Sequence, residues 1–249
     1  MTLNPASLER IIPALLESEG ATGGPTLELH LARYKFALEH VQHGRVLDIA
    51  CGVGYGTRLL SASPALQAVI GVDISADAIE YARTTYGRPG IDFFAADAMQ
   101  FADETRFENI VSLETIEHVP DPSALLAHLT TLLKPNGILI GSVPITPSVD
   151  VNPHHRTDFS AASFRKMAKD LGLIEFASLV QDQAYDPIAI LCGKEKRSGG
   201  IRRNLIAYYL ANPGRLGARI RSTLTDGFKN RYLTIAWRNP EPDLSESRL

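Results

Sequence analysis

Several features that define common classes of protein are missing from this sequence of 249 residues. It contains two cysteines, Cys51 and Cys192, which do not make a disulfide framework. No apolar run reaches the roughly 18 residues that a membrane-spanning helix needs. The N-terminus has neither the basic start nor the apolar core of a secretory signal. We therefore expect a reduced, cytoplasmic protein with no transmembrane segment.

Two common nucleotide-binding signatures are also absent. No Gly-Lys-Ser/Thr phosphate loop occurs, and the glycine-rich turn Gly52-Val-Gly-Tyr-Gly56 departs from the Gly-x-Gly-x-x-Gly spacing of dinucleotide enzymes. An acid, Asp48, precedes these glycines. A carboxylate at that position disfavours a pyrophosphate and favours a cationic or amino-bearing ligand.

The formal net charge of −3 hides an uneven distribution of charged residues. Residues 197–238 hold nine basic residues and one acidic residue, whereas residues 1–196 hold 15 basic and 24 acidic residues. Either the basic segment packs on the acidic body, or it meets an anionic substrate, a lipid head group or a nucleic acid. Nucleic acid is the least favoured of these, because the overall charge is negative and no basic strand is interleaved with aromatics.

Strand and helix patterns alternate through the middle of the chain, which predicts βαβ units and a parallel sheet. The predicted strands are Val46–Ala50, Ala68–Asp73, Ile91–Ala96, Asn109–Glu114 and Ile138–Val143. The predicted helices span residues 26–42, Thr57–Ala62, Ala76–Tyr86, Pro122–Leu133 and 161–171. Two further β-rich runs, Leu173–Val180 and Ile188–Cys192, are expected to pair as an antiparallel hairpin at one edge.

This pattern divides the chain into three parts. Residues 1–25 form an N-terminal helical segment, and residues 26–196 form the main α/β domain. Residues 197–249 are expected to be a basic helical appendix and tail, with amphipathic helices at Ile201–Leu210 and Leu216–Leu224.

The glycine turn and three other motifs resemble the class I S-adenosylmethionine-dependent methyltransferase superfamily. Residues Val46–Gly56 are similar to motif I, Ile70–Ser75 to motif II, Ala96–Ala98 to the adenine-contact motif, and Leu133–Leu139 to the turn into the fifth strand. All four occur in the superfamily's order and spacing over about residues 26–195. The resemblance implies a Rossmann-like seven-stranded sheet, mostly parallel with an antiparallel last strand, and S-adenosylmethionine as the cofactor.

The resemblance also implies which residues contact that cofactor. Asp48, Gly52 and Gly54 would surround its methionine part, Asp73 its ribose, and Asp97 and Ala98 its adenine. The full set of implied contacts is Tyr34, Asp48, Ala50, Gly52, Gly54, Asp73, Ile74, Asp97, Ala98 and Glu114. Arg33 and Tyr34 either close over the cofactor carboxylate or serve as a helix-surface residue and a core residue, and both alternatives stay open.

A cluster of chemistry-bearing residues follows the fourth predicted strand. Glu114, Glu117 and His118 are spaced so that they project from one face of a helical turn. Two carboxylates and an imidazole fit a divalent metal site, or a base with an orienting acid. Either of the downstream histidines, His154 or His155, would complete the set.

This cluster resembles the metal-binding residues of ubiquinone-type O-methyltransferases and of small-RNA 2′-O-methyltransferases. The later Asn152-Pro-x-His-x-x-x-Phe-Ser pattern is more similar to bacterial methyltransferases of sugars, and it selects His155 over His154. Three alternatives remain open: a site for Mg²⁺ or another divalent cation on Glu114, Glu117, His118 and His155, a metal-free base at His118 or His155, or a structural role. The catalytic candidates are His118, His155 and Glu114.

The leading hypothesis is an O-methyltransferase for a hydroxyl of a sugar, glycoconjugate or natural-product small molecule, with an anionic or glycosylated acceptor. The alternatives are a metal-independent N- or C-methyltransferase and a quinone-biosynthesis O-methyltransferase. An RNA 2′-O-methyltransferase or an RNA-binding protein is less favoured. The basic appendix is also a candidate surface for forming a homodimer.

Overall fold

A computed structural model describes residues 23–185 and 205–240. The helices of these residues are α1 (Gly23–His40), α2 (Tyr55–Leu60), α3 (Ala76–Tyr86), α4 (Pro122–Leu132), α5 (Ala161–Asp170), α6 (Leu205–Ala211) and α7 (Pro213–Asp226). The strands are β1 (Gly44–Ile49), β2 (Leu66–Asp73), β3 (Ile91–Ala95), β4 (Phe107–Leu113), β5 (Leu133–Pro144), β6 (Ile174–Ala184) and β7 (Lys229–Arg238).

All seven strands form one sheet in the order β3-β2-β1-β4-β5-β7-β6. Strands β1 to β5 pair in parallel, and β7 runs antiparallel to both of its neighbours, β5 and β6. The register brings Ile49 opposite Val72, Asp73 opposite Ala95, and Leu113 opposite Ser142. The carboxyl ends of the parallel strands therefore meet along one edge, and the predicted Rossmann-like sheet with one antiparallel strand is confirmed.

Two apolar clusters cover the two faces of this sheet. On one face, Leu125, Leu129 and Phe164 of α4 and α5 pack against the strands. On the other face, Ala37 of α1 and Leu60 of α2 pack against a second set of strand residues. The strands are buried from both sides, which explains why they read as near-continuous apolar runs in the sequence.

Two helix starts follow directly from local sequence. Ser75 caps α3 by accepting a hydrogen bond from the Ala78 N–H. Ser160 caps α5 in a capping box with Ser163. Both serines satisfy backbone donors that the first helical turn leaves without a partner inside the helix.

The last strand is where the sequence-based organisation is wrong. Residues 229–238 form β7 and lie between β5 and β6, although they were assigned to a helical appendix beyond residue 196. The run from Leu233 to Trp237 is buried throughout, which a strand inside a two-sided sheet requires. Only α6 and α7 of the described residues behave as the expected appendix.

Some predictions fall outside the described residues. These are the helical segment before residue 23, the strand at Ile188–Cys192, the first turn of the helix predicted from Ile201, and the tail beyond residue 240. The described partner of β6 is β7. No helix among the described residues has the length and apolar character needed to cross a membrane.

Truncation of Trp237 tests the placement of β7. Its indole is 1% exposed and stacks edge-on against Phe164 at 5.1 Å between ring centroids. We expect Trp237→Ala to lower the free energy of unfolding by about 3–5 kcal/mol in a denaturant titration. The control Lys166→Ala changes an exposed side chain and should stay within about 0.5 kcal/mol. Equal stability of the two variants would contradict the assignment of residues 229–238 to the sheet.

Candidate active site

The edge formed by the carboxyl ends of the strands has its topological switch point between β1 and β4. The chain leaves β1 toward β2 on one side and leaves β4 toward β5 on the other, so the connections diverge at this point. Ligands of open α/β sheets bind at such a switch point. The residues that follow the two strands, Ala50 and Glu114, both have left-handed backbone conformations, with φ of 60° and 48°. Non-glycine residues adopt this conformation rarely, and strain of this kind clusters at functional sites.

The glycine turn after β1 uses its glycines in different ways. Gly52 has φ of 59°, and a Cβ built there would meet nothing within 4 Å, so the backbone is open to an approaching ligand. Gly54 has φ of 85°, and a Cβ would come within 2.7 Å of Phe93. Gly56 faces the body, where a Cβ would lie 1.8 Å from the Tyr34 ring. Gly52 therefore leaves the loop open to a ligand, and Gly54 and Gly56 let the loop pack closely against Phe93 and Tyr34.

Asp48 lies beneath this loop and is almost fully buried. The Thr57 hydroxyl donates a hydrogen bond of 2.6 Å to Asp48 Oδ2, and the Tyr34 hydroxyl lies 3.2 and 3.3 Å from the two carboxylate oxygens. Burial raises the pKa of the Asp48 carboxyl to about 7, against the lowering effect of these two hydroxyls. Asp48 thus ties α1 and α2 to the end of β1.

Tyr34 is 5% exposed and fills the space over Gly56, so it supports the loop from below. Burial, followed by the nearby Asp48 carboxylate, raises the pKa of its hydroxyl well above the usual value, and Tyr34 therefore remains a donor. Its contact with a cofactor stays a prediction.

Two more carboxylates line the neighbouring strand ends. Asp73, at the end of β2, accepts a 2.9 Å hydrogen bond from the Gly52 N–H and another of 2.9 Å from the Ser75 N–H. Asp97 follows β3 and accepts a 2.8 Å hydrogen bond from the Met99 N–H. These backbone donors fix both carboxylates at the edge, as the motif spacing predicts.

An apolar side chain stands beside these acids. Ile74 directly follows Asp73 and is 64% exposed, although it is a large apolar residue. Ala98, directly after Asp97, is partly buried and packs against the core. The site predicted for a nucleoside therefore combines fixed carboxylates with an exposed apolar surface.

Arg33 reaches this edge from α1 with its side chain almost fully buried. Its Nε donates a 2.9 Å hydrogen bond to Gln181, and its guanidinium stacks 4.4 Å over the Tyr232 ring. Nη1 lies 3.7 Å from Glu114 Oε1 and makes no hydrogen bond within the described part of the chain. A buried guanidinium nitrogen without a hydrogen bond among the described residues can bind a carboxylate of a ligand.

Glu114 does not join the cluster that the sequence predicts. Its carboxylate accepts a 2.8 Å hydrogen bond from the Ser142 hydroxyl, and its N–H donates to the same hydroxyl at 3.0 Å. Residues 114–118 form turns rather than a helical turn, because Glu114 is left-handed. The expected common face of Glu114, Glu117 and His118 is therefore wrong, and Glu114 falls outside the potential metal-binding group of the described residues.

The remaining three predicted residues do come together. Ligand atoms of Glu117, His118 and His155 all lie within 4.8 Å of one another. The two imidazole rings stand edge to face with centroids 4.7 Å apart, and His118 Nε2 is 3.9 Å from Glu117 Oε1. His155 joins His118, as the sequence pattern predicts, while the His154 side chain is exposed.

Each of the two histidines has an orienting contact at Nδ1. His118 Nδ1 lies 3.2 Å from the His154 carbonyl oxygen, which can only accept, so Nδ1 carries the proton. In the neutral ring, Nε2 then holds the lone pair. His155 Nδ1 is 2.7 Å from the Ser148 hydroxyl. Orienting contacts at Nδ1 are typical of histidines that act as a base or as a metal ligand through Nε2.

Sequence reasoning missed several of the residues that orient this site. Thr57 under Asp48 had a local signal, because it is a small polar residue in the first turn after the glycines. Gln181 and Tyr232 at Arg33, Ser142 at Glu114, and Ser148 at His155 had none. These four come from other strands and loops, and only the tertiary fold brings them near their partners.

Comparison with known proteins agrees with this geometry. A family profile described as a methyltransferase domain matches residues 27–180. The chain belongs to that family and, with it, to the class I S-adenosylmethionine-dependent methyltransferase superfamily.

Its relatives act on several kinds of acceptor, judging by their names. Trans-aconitate 2-methyltransferase of Enterobacter sp. (strain 638) is 40% identical over 120 residues, 48% of this chain and 45% of that protein. Ubiquinone biosynthesis O-methyltransferase of Pasteurella multocida (strain Pm70) is 34% identical over 113 residues, 39% of this chain and 45% of that protein. The chain thus matches less than half the length of these two relatives.

A solved structure shares the fold. The N-methyltransferase NodS from Bradyrhizobium japonicum WM9, in complex with S-adenosyl-L-homocysteine, has a TM-score of 0.58 to this chain. The two are 17% identical, and the match covers 86% of this chain and 87% of NodS.

Substitution of Gly52 and of Gly56 by alanine should affect different properties, cofactor binding in the first case and stability in the second. Gly56→Ala places a methyl group inside the Tyr34 ring, so we expect a loss of several kcal/mol in the free energy of unfolding. Gly52→Ala costs about 1–2 kcal/mol for the left-handed backbone, and its methyl group points where a cofactor would approach. We expect it to fold and to bind S-adenosylmethionine at least tenfold more weakly by calorimetry. Partial recovery of stability in Gly56→Ala with Tyr34→Leu is the control, and full stability of Gly56→Ala alone would refute the packing argument.

The buried Asp48 should make the unliganded protein less stable as pH rises. Its pKa is about 7 when folded and near 3.8 when exposed, so folding favours the protonated carboxyl. The contribution is full below about pH 4 and is lost as pH rises through 7, by up to about 4 kcal/mol. Denaturant titrations at several pH values should show this slope in the wild type and not in Asp48→Asn. The exposed Asp92→Asn is the control and should keep the slope.

Proposed function

We propose that this methyltransferase acts on a hydroxyl group of a small molecule, such as a sugar, a glycoconjugate or another natural product. The observation that supports this proposal is the His118–His155 pair, in which the Nε2 lone pair of His118 is oriented by the contact at Nδ1. S-adenosylmethionine supplies an electrophilic methyl group on a sulfonium. A hydroxyl must lose its proton to accept that group, and an oriented imidazole is the side chain best suited to take it near neutral pH.

In this proposal, residues at the edge from β3 to β4 would hold the cofactor. Asp73 would accept from the ribose hydroxyls, and its two backbone donors keep the carboxylate fixed at the edge. Ile74 supplies an apolar surface for the adenine, and Asp97 accepts from its amine. Gly52 gives the backbone room to approach, and Ala50 and Gly54 hold the turn in shape.

The amino-acid end of the cofactor would face the buried charges. Arg33 Nη1 would bind the carboxylate of the cofactor, because this nitrogen makes no hydrogen bond among the described residues. Glu114 and Gln181 hold the guanidinium in place. Asp48 would hold the cofactor's ammonium, which would stabilise the ionised form of the carboxyl. The buried Arg33 nitrogen and the open space over Gly52 are the two structural features that fit this ligand.

His118 acts as the base in the proposed reaction. Its Nδ1–H stays on the His154 carbonyl while Nε2 takes the proton from the acceptor hydroxyl. The buried Glu117 carboxylate, 3.9 Å from Nε2, stabilises the imidazolium that forms. His155 packs edge-on against His118 and keeps its ring in one orientation.

A metal-assisted form of the reaction is the second candidate, because the cluster that contains His118 also has the residue types and distances of a metal site. Glu117, His118 and His155 would provide one carboxylate and two imidazoles. That donor set suits a transition metal better than Mg²⁺, which prefers oxygen ligands. The ion would draw the acceptor oxygen into place and lower the pKa of its proton. Glu114 takes no part in this version.

Transfer of a labelled methyl group to a panel of acceptors tests the proposal. Hydroxyl, carboxylate and amine compounds are compared, since a carboxylate acceptor needs no base and the trans-aconitate relative is named for one. We expect hydroxyl methylation, and His118→Gln should lower kcat by about 10²–10⁴-fold.

His154→Gln is the matched control, because it alters an exposed neighbouring histidine and keeps the carbonyl that orients His118. Methylation confined to carboxylates or amines, or full activity of His118→Gln, would refute the proposal. Activity that survives a chelator supports the base alone. Activity lost to a chelator and restored by Mn²⁺ supports the metal-assisted form.

A further inference from the structure

The two helices α6 and α7 are attached to the body through their polar sides. The Tyr209 hydroxyl of α6 donates a 2.5 Å hydrogen bond to Asp150, and Arg219 of α7 donates to the same carboxylate at 2.6 and 2.9 Å. Arg215 forms an ion pair with Asp158. Asp150 and Asp158 belong to the loop of residues 145–160, between β5 and α5. Both helices therefore direct one side toward the same carboxylates.

The attachment is strong because Asp150 is buried. Burial by itself would raise the pKa of this carboxyl, but the hydrogen bonds and charge of Arg219 outweigh it and hold the pKa below its usual value. The pKa of the Arg219 guanidinium is raised in turn by Asp150, against the effect of burial. The anchored sides of α6 and α7 are thus fixed against the body.

The apolar residues of these helices consequently point outward. Leu216 and Ile220 each follow an anchoring arginine by one residue, which places them about 100° around the helix axis. The outward apolar face consists of Ile206, Leu210, Leu216, Ile220 and Leu224. Leu210 and Leu224 are 80% and 82% exposed. An amphipathic helix on a globular domain normally buries this face and exposes its charged one.

The charge of the surrounding segment indicates what this face meets. Residues 197–228 contain six arginines and one acid, Asp226. Two of the arginines are used on the body, and Arg221 is exposed beside the apolar residues. Apolar side chains flanked by basic ones are the composition of a helix that lies in the interface of an anionic bilayer.

We propose that the outward face of α6 and α7 docks on the surface of an anionic phospholipid bilayer. The apolar residues enter the boundary between head groups and acyl chains, and Arg221 meets the phosphates. A second copy of the chain fits this face less well. A two-fold contact through the same patch would bring Arg221 of both copies together.

Sedimentation of the full chain with vesicles tests this inference. We expect binding to phosphatidylcholine vesicles that contain phosphatidylglycerol, weaker binding to phosphatidylcholine alone, and loss of binding as salt is raised. Ile220→Ser with Leu224→Ser should weaken binding at least tenfold. The matched control, Ile174→Ser with Val180→Ser, removes two exposed apolar residues from β6 and should bind as the wild type does. Calorimetry with S-adenosylmethionine checks that both variants keep the site.

Three results would overturn the inference. These are no preference for anionic vesicles, undiminished binding of the Ile220→Ser and Leu224→Ser variant, and a dimer in analytical ultracentrifugation that this variant abolishes. The last result would assign the face to a second copy of the chain.

Discussion

The loop that defines this enzyme depends on one buried carboxylate. Asp48 lies one residue before the end of β1 and is almost fully buried, and it is held by Thr57 from α2 and Tyr34 from α1. A buried carboxylate is costly unless it is hydrogen-bonded, so the two hydroxyls and the carboxylate require one another. Tyr34 in turn occupies the space that only a glycine at position 56 leaves open. The conformation of the loop is therefore set from underneath, before any ligand reaches it.

The first four strand ends were predictable because their physical basis is local. Apolar runs, and acids at or near the end of each run, placed Asp48, Asp73 and Asp97 on one edge of a parallel sheet. The register of β1, β2 and β3 brings the ends of these strands together. The caps Ser75 and Ser160 have a local basis as well, because each serine directly precedes the first residue of its helix. Pairing of His118 with His155 followed from motif similarity rather than from spacing.

The failures have physical causes that no local pattern records. Glu114 was expected on a helical face, but its left-handed backbone and the Ser142 hydroxyl turn it toward Arg33. Residues 229–238 were not recognised as a strand, because their hydrogen-bond partners are β5 and β6, far away in the sequence. The partners of Arg33 are distant in the same way. Each of these features depends on which elements become neighbours in the folded chain.

The insertion of β7 between β5 and β6 has a consequence for how the protein is made. When residues 174–184 leave the ribosome, the strand that joins them to the sheet has not been synthesised, and β5 has an open edge. Unpaired edges attract other strands, so this stage is exposed to mispairing. The sheet is completed only when residues 229–238 pair with β5 on one side and with β6 on the other. During synthesis, the protein thus passes through a state in which strands β1 to β5 are complete. In that state β6 still lacks β7, the strand that joins it to the rest of the sheet.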